Sequence, residues 1–334
     1  MRIIALILKR LAWFAPTLAG LLLIVFSVSH IIPANPAVVL AGEGATQAQI
    51  DAIKQKFGLD QPLPIQFWRY LKSVAAGDLG TSLYTQRPIS EDLLTRVPAT
   101  LELTLITVVI ASLLGIPLGV IAAARRNSVI DHALRFFTVS GLAIAGFWLA
   151  ILFQLLFAMK LGWTPLQSRA DGWGPDPVTG FFLIDAAIQG DWKIFSDVVA
   201  HLILPVMTLA FPAMATIVRF TRAGVLDAIN SNYVLYEQAM GLPQRVIVWK
   251  YVLRNALIGT VTQIGLIFGI LLANAVVVES VFDWPGLGLY AVNSILRSDY
   301  NGIMGFTLIT GTIFILVNLV VDILHGTIDP RGAG

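Results

Sequence analysis

The chain has 334 residues, of which 57% are hydrophobic and 13% charged, with a mean hydropathy of +0.79. That balance is far from a soluble domain of this length and marks an integral membrane protein. A formal net charge of only +2 gives no support to nucleic-acid binding, and the lack of cysteine excludes disulfides, thiolate metal ligands and thiol catalysis.

A helix needs about 20 residues at 1.5 Å rise to cross the hydrocarbon core. Six stretches qualify: residues 11–32, 99–123, 134–160, 198–218, 257–281 and 303–324. An even number of spans puts both termini on one side. The first run has a basic start like a signal peptide, but its apolar stretch is too long and no small-x-small cleavage site precedes Pro33, so it is expected to stay as the first span.

Orientation follows from Lys and Arg in the short connections. Arg2, Lys9 and Arg10 precede the first span, Arg125, Arg126 and Arg135 surround the second connection, and Arg219, Arg222, Arg245, Lys250 and Arg254 populate the fourth. These segments are expected on the cytoplasmic side, with both termini.

Residues 33–98 form a large external segment. Residues 45–57 read as an amphipathic helix capped by Thr46, with Ile50, Ile53 and Phe57 on one face. A second helix, 64–75, spaces Ile65, Trp68 and Leu71 for packing on the outer mouth of the bundle. Gly77 to Ser82 is turn chemistry. Further on, Gly115, Pro117 and Gly119, and then Pro205 and Pro212, are expected to bend or open their spans. Residues 162–190, rich in Pro, Gly and Trp, read as a loop with at most a short hairpin.

Residues 232–255, NYVLYEQAMGLPQRVIVWKYVLRN, form a polar, basic island between two apolar runs. Tyr233 to Met240 allow about two helical turns, Gly241 supplies a position free of Cβ constraint, and Pro243 sits where a new helix starts. The segment is either an ordinary connection or a docking surface, and its length favours the second.

Several engines are missing. The acids near spans, Glu102, Glu279 and Asp322, fall at predicted ends, so no proton relay is visible. No GxxxxGK[ST] phosphate loop or GxSxG elbow occurs, and His30, His132, His201 and His325 show no metal-ligand spacing. An external source of energy is implied, with the short helix as its point of attachment. The alternative is an ion-gradient-driven secondary transporter, which needs a buried carboxylate.

The island resembles the EAA-type coupling motif of binding-protein-dependent ABC importer permeases, in particular the dipeptide/oligopeptide/nickel family. Tyr233, Val234, Ala239, Gly241, Leu242, Arg245 and Leu253 through Ile258 carry the match, while Glu237, Leu235, Met240 and Gly259 depart from it. The likeness continues through Gly58–Pro64, Gly77–Ser82, Pro98–Leu103, Gly115–Gly119, His201–Pro205, Val278–Phe282, Trp284–Gly288, Asn318–Asp322 and Asp329–Arg331. Ala34–Asn35–Pro36 stands where the family usually has Gly-Asp-Pro.

The resemblance implies an all-α inner-membrane permease of the type I importer fold. It would comprise residues 1–32 with the first span, an external segment 33–98, and a permease core 99–334 with a coupling segment 219–256. The chain would be a non-catalytic subunit without a cofactor of its own, paired with a homologous second permease. Two ATPase subunits using ATP and Mg and an external substrate-binding protein would complete the system. Tyr233, Glu237, Ala239, Gly241, Leu242, Arg245 and Leu253 would couple to the ATPase. Asp78, Glu279, Trp284, Pro285 and Gly286 are candidates for an external gate or docking surface, although Trp284 to Gly288 read equally well as a turn capping the fifth span.

Overall fold

The structure, a computed structural model, describes residues 13, 14, 16–27, 44–57 and 60–328. Arg2, Lys9, Arg10, Ala34–Asn35–Pro36, Gly58–Leu59 and Asp329–Pro330–Arg331 lie outside the described residues. The described chain is helical: α1 Pro16–Ser27, α2 Gln47–Phe57, α3 Leu63–Ala75, α4 Ile89–Ala124, α5 Val129–Ala143, α6 Gly146–Phe153 continued by a π-helix Gln154–Lys160, α7 Phe182–Gln189, α8 Trp192–Ile229, α9 Asn232–Ala239, α10 Gln244–Val281, α11 Leu287–Leu296 and α12 Tyr300–Ile328. Among the described residues the only β pairing is an isolated bridge between Thr81 and Pro88. Four helices, α4, α8, α10 and α12, are long and apolar enough to cross a membrane, or five crossings if α5 and α6 are one broken span.

The chain divides into two compact units: Met1–Ala99 with Pro285–Ile315, and Thr100–Trp284 with Leu316–Gly334. In the first, α2 opens with a capping box: Gln49 N–H donates to the Thr46 hydroxyl at 3.4 Å, and Thr46 N–H to the Gln49 side-chain oxygen at 2.8 Å. Helix α3 starts behind Pro62 and carries Pro64 in its first turn, where a missing N–H costs nothing. Of its expected apolar stripe, Leu71 is half-buried while Ile65 is 43% and Trp68 58% exposed among the described residues; Phe67 meets Phe26 of α1 at 5.3 Å between ring centroids.

The Gly77–Ser82 turn is a chain of local devices. Gly77 and Gly80 hold φ of +83° and +80°, and the Asp78 carboxylate accepts the Gly80 N–H at 2.8 Å. The Ser82 hydroxyl accepts the Tyr84 and Thr85 N–H groups and donates to Asp299, whose other oxygen accepts Gly302 N–H in the first turn of α12. Ile89, Leu93, Leu287 and Tyr290 form the buried cluster above this turn, with Phe306 and Ile309 against it. These contacts join Pro285–Ile315 to the N-terminal segment, although a linear division places that stretch in the permease core.

In the second unit α8 is the central element, packed by α5, α6, α7 and α10. Glycines set the closeness of these helices. A Cβ on Gly119 of α4 would come 2.6 Å from Thr221 Cβ and 2.9 Å from the Val218 carbonyl oxygen, and one on Gly115 2.9 Å from Ile217. The pair lies four residues apart on one helix face, a small-xxx-small contact that lets backbones approach. Gly141 of α5 meets Ala215, and Gly224 of α8 meets Ala256 of α10, in the same way. Gly115 and Gly119 therefore serve close packing. Helix α4 runs unbroken through Pro117, and α8 through Pro205 and Pro212.

Two expectations are corrected. The stretch 134–160 is not one straight helix: Ile144 and Ala145 adopt extended backbone, ψ 127° and 130°, and α5 and α6 meet there at 103°. The 162–190 segment forms no hairpin; residues 161–181 are irregular, and α7 follows, closed by Gly190 at φ +70°. An apolar octet followed by glycine is a helix with its C-terminal stop.

Candidate functional site

The coupling segment is built outward from a buried cluster of Val120, Val225, Val234, Ile247, Val252 and Ala256, with Tyr233, Leu242 and Leu253 packed on it. Helix α9 presents Val234 to that cluster and ends in a closed turn. Leu242 N–H donates to the Glu237 carbonyl at 3.3 Å and Gly241 N–H to the Gln238 carbonyl at 2.9 Å, the paired bonds of a Schellman stop, with Gly241 at φ +77°. Leu242 drops onto the cluster, and Pro243 restarts the chain into α10, whose residues Ile247–Val252 are π-helical. The tip of the segment thus has fixed length and direction despite its eight-residue helix.

The seven residues expected to couple separate into two sets. Tyr233, Leu242 and Leu253 face the cluster and hold the segment in place. Ala239, Gly241 and Arg245 are exposed, and Glu237 is partly exposed. The exposed face also carries Leu235, Tyr236 and Met240, each between 62% and 66% exposed. Leu235 and Met240, noted from the sequence as departures from the family pattern, thus stand with Tyr236 on the exposed face. Beside it, α8, α9 and α10 enclose an open cleft of about 530 Å³ whose lining includes Phe220, Gly224, Asp227, Tyr233, Asn255 and Thr260.

One buried charge cluster braces this region and was missed as a unit. Asp131, fully buried in α5, accepts from Arg222 of α8 at 2.7 and 3.0 Å, from Arg135 at 2.7 and 3.3 Å, and from Asn127 N–H at 3.0 Å. A carboxylate so buried is tolerated because every lone pair has a cationic or amide donor.

The gate candidates fall in both units. Asp78 is exposed and engaged in its own turn, Pro285 is exposed, and Gly286 is the buried N-cap of α11. Glu279 and Trp284 belong to the second unit and both are fully buried. The Glu279 carboxylate accepts the Thr100 hydroxyl at 2.6 Å, and its main-chain carbonyl accepts Trp284 N–H at 2.9 Å.

Near them lies a second unforeseen pair. Arg169, from the irregular 161–181 segment, is buried and donates through Nε at 3.0 Å and Nη2 at 2.5 Å to Glu102, and also to the Gly180 carbonyl at 2.9 Å. Its guanidinium stacks 3.7 Å over Phe182 and stands 5.9 Å from the Trp284 ring. The other Glu102 oxygen accepts Leu183 N–H at 2.9 Å. Burial lowers the Arg169 pKa, and the charges of Glu102 and Asp185 oppose that shift. Arg169 is the only basic residue between Lys160 and Lys193, which was the available signal. Glu102 and Glu279 are thus buried and hydrogen-bonded groups, not solvated span ends.

These features belong to an α-helical membrane protein whose short helix α9 is closed by a Schellman turn and exposed at its tip. The chain is a member of the binding-protein-dependent transport system inner membrane component family, whose model matches residues 115–333; the model of the N-terminal region of such components matches residues 3–104. It is 43% identical over 328 residues to the probable D,D-dipeptide transport system permease protein DdpB of Escherichia coli K12, covering 97% of this chain and 96% of that one. It is 38% identical to the dipeptide transport system permease protein DppB of the same organism, covering 97% of each. The glutathione transport system permease protein GsiC of Salmonella paratyphi A is 38% identical, again with 97% of each chain covered. Among solved structures, the MetNI methionine ABC transporter in an inward-facing form matches with a TM-score of 0.50 at 19% identity, over 69% of this chain and 93% of that one. At that identity the likeness concerns the fold.

Proposed function

We propose that the chain is one of two homologous transmembrane subunits of an ATP-driven importer for peptides or similar small solutes, working by alternating access in a bacterial inner membrane. In this reading α1, together with residues outside the described set, completes a sixth span. The basic connections and both termini face the cytoplasm, and residues 33–98 face the external binding protein.

The observation that carries the reading is the Schellman-closed helix α9 with Leu235, Tyr236 and Met240 exposed at its tip. A helix of fixed angle seated in a groove of an ATPase subunit passes a rigid-body displacement to the bundle. Glu237, Ala239, Gly241 and Arg245 would border that contact, while Tyr233, Leu242 and Leu253 anchor it. ATP and Mg are used by the partners. Asp78, Pro285 and Gly286 in one unit, and Glu279 and Trp284 in the other, remain the candidates for an external gate or docking surface. The peptide assignment is supported by the dipeptide and glutathione systems of the relatives.

The test is reconstitution of the chain with its partner permease, ATPases and binding protein in liposomes, measuring uptake of a dipeptide and a longer peptide with and without internal ATP. ATP-dependent peptide uptake is expected. Uptake driven by a proton or sodium gradient without ATP would overturn the assignment in favour of a secondary transporter.

A further inference from the structure

Where the irregular 161–181 segment meets α8, three ligand-type side chains converge. Asp171, Asp197 and His201 each offer one ligand atom within 4.8 Å of the others. The His201 side chain is only 2% exposed, while Asp171 is 89% exposed, so a buried imidazole faces an opening to solvent. His201 Nδ1 lies 2.9 Å from the Asp197 main-chain carbonyl and 3.4 Å from the Asp197 carboxylate. Nδ1 faces acceptors on that side, so a ligating ring would hold its proton there and offer Nε2 to the opening. Nε2 makes no hydrogen bond among the described residues, and the Asp171 carboxylate stands 3.6 Å from it.

The remaining geometry is already arranged. Asp171 N–H donates to one Asp197 carboxylate oxygen at 2.8 Å, which leaves the other oxygen for a ligand. Among the described residues neither carboxylate pairs with a lysine or arginine; His201 is the one basic side chain beside them. We propose that Asp171, Asp197 and His201 bind a divalent transition-metal cation, which clamps the 161–181 segment onto α8.

With metal–ligand bonds of about 2.0–2.2 Å, two ligand atoms on one tetrahedral ion stand about 3.3–3.6 Å apart; Nε2 and Asp171 stand at 3.6 Å, and binding would draw in Asp197, within 4.8 Å of both. An imidazole held by a main-chain carbonyl through its second nitrogen is the usual supporting arrangement for a ligating histidine. One nitrogen and two carboxylates suit zinc and its neighbours better than calcium or magnesium, which take oxygen ligands. Water would complete the coordination from the open side. The proposal concerns this cluster alone and does not depend on the transported solute.

The experiment uses the full chain, untagged and stripped of metal by chelation in detergent, titrated calorimetrically with Zn²⁺. One ion per chain is expected. Asp171→Asn, at an exposed position where misfolding is not a concern, is expected to weaken binding by about 10- to 100-fold or more, the range that loss of even a supporting group produces. Asp176→Asn, an exposed carboxylate on the same segment, should leave it unchanged. Hydrogen exchange of residues 162–181 should slow on adding Zn²⁺ to the parent chain and not to Asp171→Asn. Absence of stoichiometric binding overturns the proposal. So does equal binding by Asp171→Asn, which would mean that zinc sits elsewhere.

Discussion

Gly241 tests whether the coupling tip works through backbone geometry or through side-chain contact. Its φ of +77° lies in the left-handed region, and a Cβ built there would meet nothing within 4 Å in this chain. A substitution therefore carries no internal clash, only the conformational cost of an L-residue in that region, about 1–2 kcal/mol. Asparagine enters this region more readily than alanine, and a β-branched residue least of all. If the Schellman closure sets the tip, coupling should fall in the order Gly, Asn, Ala, Val. A loss of about 1–2 kcal/mol lowers the closed population roughly 5- to 30-fold relative to open forms. The assay is substrate-stimulated ATP hydrolysis and uptake by the assembled importer, with co-purification of the ATPases as the measure of docking. Equal activity of all four chains would refute a role for the turn. Asn as damaging as Val would refute the backbone argument in another way, because bulk rather than φ would then govern, placing a partner surface within Cβ reach of Gly241.

Arg169→Met should strongly destabilise the second unit, by about 3–5 kcal/mol, because it strands a buried carboxylate; thermal unfolding of the purified chain reads this, and adding Glu102→Met should recover much of the loss. Gly119→Ala should cost about 1–3 kcal/mol by overpacking against Thr221 and the Val218 carbonyl, whereas Gly259→Ala, with open space around its Cβ, should be neutral or slightly stabilising in the same assay. Burial raises the Asp185 pKa, but the Thr179 hydroxyl and the N–H groups of Thr179, Val178 and Gly180 outweigh it and hold the carboxyl below its ordinary value. Asp185 therefore contributes stability above the unfolded value of about 3.9, lost as pH falls through the folded one: exchange of residues 176–181 should accelerate only in acid, and Asp185→Asn should abolish that dependence.

Helix type and the coupling turn were legible because their signals are local. Gly241 followed by Pro243 dictates a stop and a restart, and Thr46 with Gln49 dictates a start, whatever surrounds them. The break at Ile144–Ala145 was not legible. Neither residue is a helix breaker, and the close approach of Gly141 to Ala215 that positions α5 depends on α8, more than 70 residues away. The same distance hid the charge pairs. Asp131 with Arg222, and Glu102 with Arg169, look like solvated ends and loops until the fold brings them together. Helical spacing places His201 one turn after Asp197, but Asp171 joins them only through the path of an irregular segment. The exposed face of α9 was only partly legible, for a different reason. Leu235 and Met240 depart from a family pattern that is often basic there, which bears on partner choice; that they stand exposed is visible only in the fold.

Helix α8 connects these separate features mechanically. Its 38 residues rise about 57 Å, and along that length it is held at closely spaced points: Asp191 caps its start, Ala215 meets Gly141, Ile217 and Thr221 meet Gly115 and Gly119, Arg222 grips Asp131, and Gly224 meets Ala256. Over residues 215–224, where the contacts leave no free space, the helix cannot bend to absorb a displacement; its neighbours move with it or the contacts break. The coupling tip begins two residues after α8 ends, and the Asp171–Asp197–His201 cluster sits within its first three turns. In the proposed importer a push on α9 would reach this pinned stretch of α8 first, and the 161–181 segment lies at the other end of the same helix.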